Sequence, residues 1–420
     1  MPSLLNTRRL ARFITPVASL IAAITLHAQR GSEATWDQTA VTGYFDARMD
    51  LWWQRAKTLR TGTSETKCLS CHTAVPYAMV MPVLRRARGI DALTRHEQQI
   101  LDMARARSAY AETDQPYYDQ SEDKIRESRG VEAVVNAFVL TTYDAGPSPA
   151  PETRAAIVRL WQVQRADGAW DWLNFGLEPY EAPDAVFQGA ALAALSAGSR
   201  AGRAASADAP GQAGLTRLAV YLTQHFQSQR LFNRTWALLA SSRLDGVLTG
   251  EQRRALLDEL RMQQHSDGGW SMADLGPWRW SAQTTPYAPP GATDTALLTQ
   301  SDGFATGLVV YAMRRSGVSV DDAAVSRGQA WLRGHQTTES HDAAWAPWRA
   351  HSLNFDREHG GAKGEPWRRN FMSDLATAFA TLALLYCQKY GHWPRQRAIG
   401  SNAVRTGGDE HSHHRRRHAN

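Results

Sequence analysis

Gln164-Arg165-Ala166-Asp167-Gly168-Ala169-Trp170 and Gln264-His265-Ser266-Asp267-Gly268-Gly269-Trp270 are two copies of one pattern, a hundred residues apart. A looser third copy runs from Gln336 through Asp342 to Trp345. Each copy follows an apolar stretch of helical period, and recurrence of this kind marks a repeated supersecondary unit. Asp-Gly after such a stretch is a stop signal, because glycine takes the left-handed conformation that closes a last helical turn. The glutamine can hydrogen-bond loop backbone, and the tryptophan can stack over the next helix. After a variable loop each copy leads to an aspartate opening another apolar run: Asp184, Asp302 and Asp374. A short carboxylate there accepts from exposed first-turn N–H groups and suits the helix dipole, so all three are expected N-caps.

Outward from the repeat the chain reads as all-α. Helices are expected near 131–144, 151–165, 184–198, 213–228, 230–243, 249–264, 301–315, 321–336 and 373–390. Upstream, Trp36, Tyr44, Phe45, Met49, Trp52 and Trp53 predict a helix over 34–60, broken by Thr61-Gly62-Thr63-Ser64. A further helical stretch follows Pro76 and Pro82 to about Arg107. Polar residues 111–130 read as a connecting loop, and 199–212, rich in Ser, Arg, Ala and Gly, as a flexible surface loop. No strand-period alternation of any length is visible. Residues 395–420 are His/Arg-rich and of low complexity, and are expected to be a disordered basic tail.

Gln, a few residues, Gly, one residue, Trp resembles the QW motif of squalene–hopene cyclases and their relatives. Set among helix hairpins, the copies resemble the α/α toroid shared by terpenoid cyclases and protein prenyltransferase β-subunits. The resemblance spans roughly residues 131–391, within an expected toroid domain at 126–394. It implies inner and outer helices in a ring around a central cavity. The family's reaction is harder to find. The cyclases use an Asp-x-Asp-Asp acid cluster, whereas Asp321-Asp322 lacks the leading Asp and Asp294 and Asp302 stand apart. The zinc set of the prenyltransferases has no convincing match in Asp302 and Cys387. Fold and function separate readily, and the toroid is expected to keep the first without the family's reaction.

The sharpest chemical signal is Cys68-Leu69-Ser70-Cys71-His72. Two thiols at this spacing can each add to a vinyl group of one haem, and the histidine directly after them can ligate the iron from the proximal side. Thr73 and Pro76 resemble the continuation of this motif in c-type cytochromes. The alternatives are a reversible disulfide, which wants a strand–helix context like thioredoxin's, and structural zinc, which wants four ligands. Residues 29–125 are therefore expected to be a helical segment carrying one covalent haem c. Met79 and Met81 are the nearest thioethers for a distal ligand, with His96 and Met103 further on. Cys387, alone in an apolar stretch, is expected to be a small buried hydrophobe.

The formal charge of +6 does not describe a basic face. Arg8, Arg9 and Arg12 carry three units, and residues 395–420 carry a net four, which leaves the body near −1. Nucleic acid is not an expected partner. The three arginines precede an apolar run from Phe13 to Leu26 and a plausible cleavage site at Leu26-His27-Ala28, an export signal over 1–28. The run is short for a span, which needs about 20 residues. No membrane span is expected after cleavage, and an uncleaved signal would leave the chain membrane-associated. Export outside the cytoplasm, as in a bacterial periplasm, agrees with haem c.

Loops at one end of the toroid are expected to gather at its mouth. The aromatic, acidic loop after Trp170 and the later Trp278-Arg279-Trp280 and Trp345-Ala346-Pro347-Trp348-Arg349 occupy matching positions. Cavity residues expected on this basis are Glu132, Asn136, Trp172, Glu181, Asp184, Trp280 and Asp302. Glu132 and Asn136 share a helix face as an i, i+4 pair. Glu132 can be a general acid or base in a cavity, or a first-turn acid serving the helix dipole, the reading ranked higher. Together these features predict an exported redox protein whose toroid meets a redox partner or a small apolar molecule. A terpenoid-processing enzyme and a non-catalytic binding module are the alternatives.

Overall fold

The computed structural model describes residues 35–69, 71–108, 113–278, 298–338, 345–354, 368 and 370–387. Within them the chain is helical, apart from one short hairpin. The expected export signal, the basic tail and Trp280 lie outside the described residues.

The first helix, α1, spans Gln38–Arg55, and Asp37 caps it by accepting from the N–H groups of Thr39 and Ala40 at 2.7 and 3.0 Å. It is shorter than expected. Strands β1 (Thr58–Thr61) and β2 (Ser64–Lys67) follow, antiparallel around Gly62, whose φ is +57°. The Thr-Gly-Thr-Ser break is thus a hairpin turn, and four-residue strands are too short to declare a period of two. Helix α2 (Ala74–Ala87) carries Pro76 in its first turn, where no intrahelical donor is lost. A reciprocal capping box between Thr94 and Glu97 starts α3 (Arg95–Ala106).

Helix α4 (Glu122–Tyr143) begins well before its expected start. Ser121 accepts from the Lys124 N–H, and Glu122 and Asp123 suit the first turn, so half of the supposed polar loop is helix. The boundary expected at 125/126 falls inside it. Then come α5 (Pro151–Gln162), α6 (Ala185–Ala197), α7 (Arg200–Ala205) and α8 (Ala209–His225). The supposed flexible stretch 199–212 is therefore mostly ordered helix, with Ser199 and Asp208 as N-caps. Its small residues are packing residues: a Cβ on Gly202 would lie 2.8 Å from the Ala197 Cα. The remaining helices are α9 (Leu231–Ala240), α10 (Gly250–Met262), α11 (Gly303–Arg315), α12 (Ala323–Gly334) and α13 (Phe371–Cys387).

Six of these helices are largely buried and touch in a closed sequence. α2 packs on α4, α4 on α6, α6 on α9, α9 on α11, α11 on α13, and α13 returns to α2. The half-exposed helices lie against this set: α1 on α13 and α2, α3 on α4, α5 on α4, α8 on α6, α10 on α9, and α12 on α11. Apolar burial all round the first six and along one face of the others is what such an arrangement demands.

The repeat explains how neighbours are held in register. Gln164 donates to the carbonyls of Gly168 (3.0 Å) and Gly214 (3.1 Å), the latter on α8. Gln264 donates to Gly268 and to Ala324 on α12, both at 2.8 Å. Gln336 does the same across the chain, accepting from the Asp37 N–H at 2.7 Å and donating to the Asp37 carbonyl at 2.8 Å. Each glutamine thus hooks the start of the next peripheral helix, and α1 takes that place after α12. Gly168 and Gly268 have φ of +98° and +96°, as the stop signal predicted. Trp170 and Trp270 are fully buried, their indole N–H groups on the carbonyls of Leu160 (2.9 Å) and Leu260 (2.7 Å). In the third copy Trp348, not Trp345, makes this bond, to the Leu332 carbonyl at 2.8 Å.

Between α9, α11 and α13 the interior is packed with aromatic rings. Phe304 stacks on Phe379 with centroids 5.5 Å apart, Phe232 meets Phe304 edge-on at 5.9 Å, and Trp236 meets Phe379 at 5.6 Å. Tyr180, from the loop after the first repeat, joins this group against Phe304 at 6.4 Å. No helix among the described residues is long and apolar enough to cross a membrane.

Candidate functional site

The Cys68–His72 stretch leaves β2 and leads into α2. Its start is pinned by Trp52, whose indole N–H donates to the Cys68 carbonyl at 3.2 Å. Cys68 and Cys71 are half-buried free thiols, packed against the apolar core. Burial pushes both thiols up, Cys71 to about 12, and the neighbouring Glu181 carboxylate adds to the rise. A thiol poised for disulfide exchange is shifted the other way, by adjacent cations or a helix N-terminus.

His72 stacks on Phe371 with ring centroids 3.6 Å apart, and Trp52 meets it edge-on at 5.8 Å. It borders a small cleft that is partly open to solvent. The other walls are Leu177 to Glu181, Ser352 and Asn354, and Phe371, Met372 and Leu375 at the start of α13. The 177–181 wall is fixed by Asn354, which accepts from the Glu178 N–H at 3.0 Å and donates to the Glu178 carbonyl at 2.7 Å. Arg230 pairs with the Glu178 carboxylate at 2.9 Å. The Tyr180 hydroxyl is buried and has no hydrogen-bond partner among the described residues. Tyr180 thus joins the His72 cleft to the aromatic interior.

Behind His72 lies a carboxylate whose role the sequence did not disclose. Asp374 is fully buried within α13, three residues past its first residue, and does not cap that helix as the repeat register had suggested. Arg48 on α1 grips it with two N–H donors, at 2.7 and 2.9 Å. The Tyr44 hydroxyl donates to it at 2.7 Å and the Thr73 hydroxyl at 2.8 Å. The His72 Nδ1 lies 3.4 Å from that same Thr73 oxygen. Burial and the Asp374 charge hold the Tyr44 hydroxyl well above its ordinary range. The only hint in the sequence was that Asp374 stands where a repeat aspartate should.

The other expected residues divide. Glu181 reaches the cleft. Glu132 and Asn136 share a face, but border a small separate cavity with Arg107, Arg129 and Arg159. Glu132 is not a first-turn acid, because α4 starts ten residues earlier. Its carboxylate pairs with Arg107, which also donates to Thr61 at 2.7 Å and to the Gln115 carbonyl at 2.8 Å, tying the hairpin to α4. Burial raises the Glu132 carboxyl, with Arg107 and Arg129 opposing. Trp172 is buried as a loop staple, its indole on the Tyr180 carbonyl at 2.9 Å.

Asp184 occupies the cap position of α6 without a cap bond from its side chain; its carboxylate instead takes Arg230 at 2.7 Å and Asn233 at 3.1 Å. Asp302 is the true cap, accepting from Phe304, Ala305 and Met272 N–H groups at 2.8 to 2.9 Å. Burial pushes it up to about 6. Met79 and Met81 are buried in the core on α2, and neither borders the His72 cleft, whereas Met372 does. Cys387 is buried at the end of α13. Among the described residues no group of three or more His, Cys, Asp or Glu could hold a metal ion by itself. No protein-family model matches this chain, and no curated protein matches it either.

Proposed function

We propose that the chain is an exported c-type haem protein with a redox role, one haem being joined by thioethers to Cys68 and Cys71 and ligated by His72. The observation that carries the reading is the setting of the motif. Cys-x-x-Cys-His stands at the head of α2, with its histidine on a largely apolar cleft that a porphyrin edge would suit. Leu177, Pro179, Tyr180, Phe371 and Leu375 supply apolar wall, and the orphan Tyr180 hydroxyl supplies one donor within it. Haem so held exchanges one electron between ferric and ferrous iron. Phe371 keeps the His72 imidazole stacked, and the apolar cleft walls would lie against a haem held there.

We read the helical body as an α/α toroid. Support comes from the closed order of six buried helices and from three glutamine hooks, which tie α5 to α8, α10 to α12 and α12 to α1. Its role would be to hold the haem segment rigid and to offer the Tyr180 cleft to a redox partner or a small apolar molecule. The polyene-cyclase alternative asks for an acid at the base of a deep cavity. Asp302 is instead engaged by three backbone donors, and the interior beside it is filled by Phe304, Phe379 and Phe232.

The test is expression with a c-type haem maturation system, a denaturing gel stained for haem-linked peroxidase activity, and a reduced pyridine spectrum. Haem at the mass of the protein, lost in Cys68→Ala with Cys71→Ala, is the expected result. A wild-type chain without covalent haem removes the proposal.

A further inference from the structure

Asp374 lies 301 residues from Thr73 and 326 from Arg48, yet one buried carboxylate collects both, with Tyr44 as a third partner. Such a cluster needs a reason, because burying a guanidinium–carboxylate pair seldom adds net stability over apolar packing. The protons supply one. A carboxylate gripped by an arginine can only accept, so the single hydroxyl hydrogen of Thr73 points at Asp374. The Thr73 oxygen then has lone pairs alone to offer on its other side, where His72 Nδ1 lies at 3.4 Å. In neutral imidazole that places the proton on Nδ1 and the lone pair on Nε2.

Resting on the haem reading, we propose that Asp374, acting through Thr73, is a positioning residue that fixes the ring tautomer of His72, so that Nε2 is the atom presented to iron. Phe371, stacked on the imidazole face, fixes the ring plane without competing for either nitrogen, since the Nδ1–H bond and the Nε2 lone pair both lie in that plane. Arg48 and Tyr44 fix the carboxylate. The chain therefore carries an outer-shell relay from a toroid helix to the haem motif, and a relay of this kind orients a ligand and raises its basicity. A more basic imidazole favours ferric iron and lowers the potential.

The experiment uses the full-length haem protein with Thr73→Val, Thr73→Ser and Asp374→Asn. Covalent haem is counted from the pyridine spectrum. The midpoint potential is read by optical titration, and the iron–histidine stretch by resonance Raman after photolysis of bound carbon monoxide. Thr73→Val is expected to keep its haem, raise the potential and lower the stretching frequency. Thr73→Ser is expected to restore both, and Asp374→Asn to follow Thr73→Val. If Thr73→Val holds haem with wild-type potential and stretch, the relay does not exist and only this inference falls. If wild-type protein carries no covalent haem, the functional reading falls first and takes the relay with it. Should Asp374→Asn fail to fold, the two Thr73 variants decide.

Discussion

Asp302 and Asp374 fill the same slot of the repeat and do different work. Asp302 serves the backbone: three N–H donors, a helix start and a neighbouring loop. Asp374 lies inside its helix and serves side chains: a guanidinium, a phenol and the threonine beside His72. A sequence repeat therefore fixes a carboxylate near the start of its helix, not what it touches. The difference comes from the partner element. Asp302 faces another repeat loop, while Asp374 faces α1 and the head of α2, which precede the repeats and close the set.

The two can be separated by substitution. Asp374→Ala leaves Arg48 buried and unpaired, an expected loss of about 3–5 kcal/mol in denaturant unfolding. Asp374→Ala combined with Arg48→Met should recover most of it, since only the orphaned charge is being penalised; equal losses in single and double variants would show that the pair is not the cause. Trp270→Ala, at a fully buried indole of the repeat, is expected to cost about 3–5 kcal/mol without touching haem content. Gly168→Ala is smaller but sharp. It forces an alanine to φ +98° with its Cβ 2.3 Å from the Arg217 carbonyl, so a loss above about 1 kcal/mol is expected.

Asp302 sets a pH dependence of opposite sign to the usual carboxylate. Burial raises it to about 6 in the folded chain, against about 3.9 unfolded. The folded state holds the extra proton between those values, so this group's contribution is full below about pH 4 and lost as pH rises through 6. Asp302→Asn should flatten that fall in stability, by roughly 3 kcal/mol at most, while keeping the cap through its side-chain oxygen. A wild-type profile that rises over the same interval, with no difference in the variant, would contradict it. The smallest expected effect separates the methionines. Met372→Ala should perturb the visible spectrum of the proposed haem, because Met372 borders the His72 cleft, and Met79→Leu should not.

Much of the fold was legible because its signals are local. The Asp-Gly stops, the aspartate at 302 and the buried repeat tryptophans all act within a few tens of residues, and all-α followed from the absence of strand periodicity. Errors came where local composition misled. Polar residues hid the first turns of α4 behind the Ser121 cap, small residues at 199–212 looked mobile when they were packed, and Trp345 was chosen where Trp348 makes the bond. The site was half legible. Cys68, Cys71 and His72 announce themselves by spacing, and Glu181 by its loop. Asp374, Thr73, Arg48 and Tyr180 do not, since their meeting depends on contacts across most of the chain.

The central claim is that His72 and its two cysteines hold haem at the head of α2. The most direct test is the denaturing gel of the wild-type protein, expressed with a c-type haem maturation system, beside Cys68→Ala with Cys71→Ala. Haem-linked peroxidase activity is expected at the mass of the wild-type chain and none in the variant. Its absence from a wild-type chain expressed with that maturation system would contradict the claim.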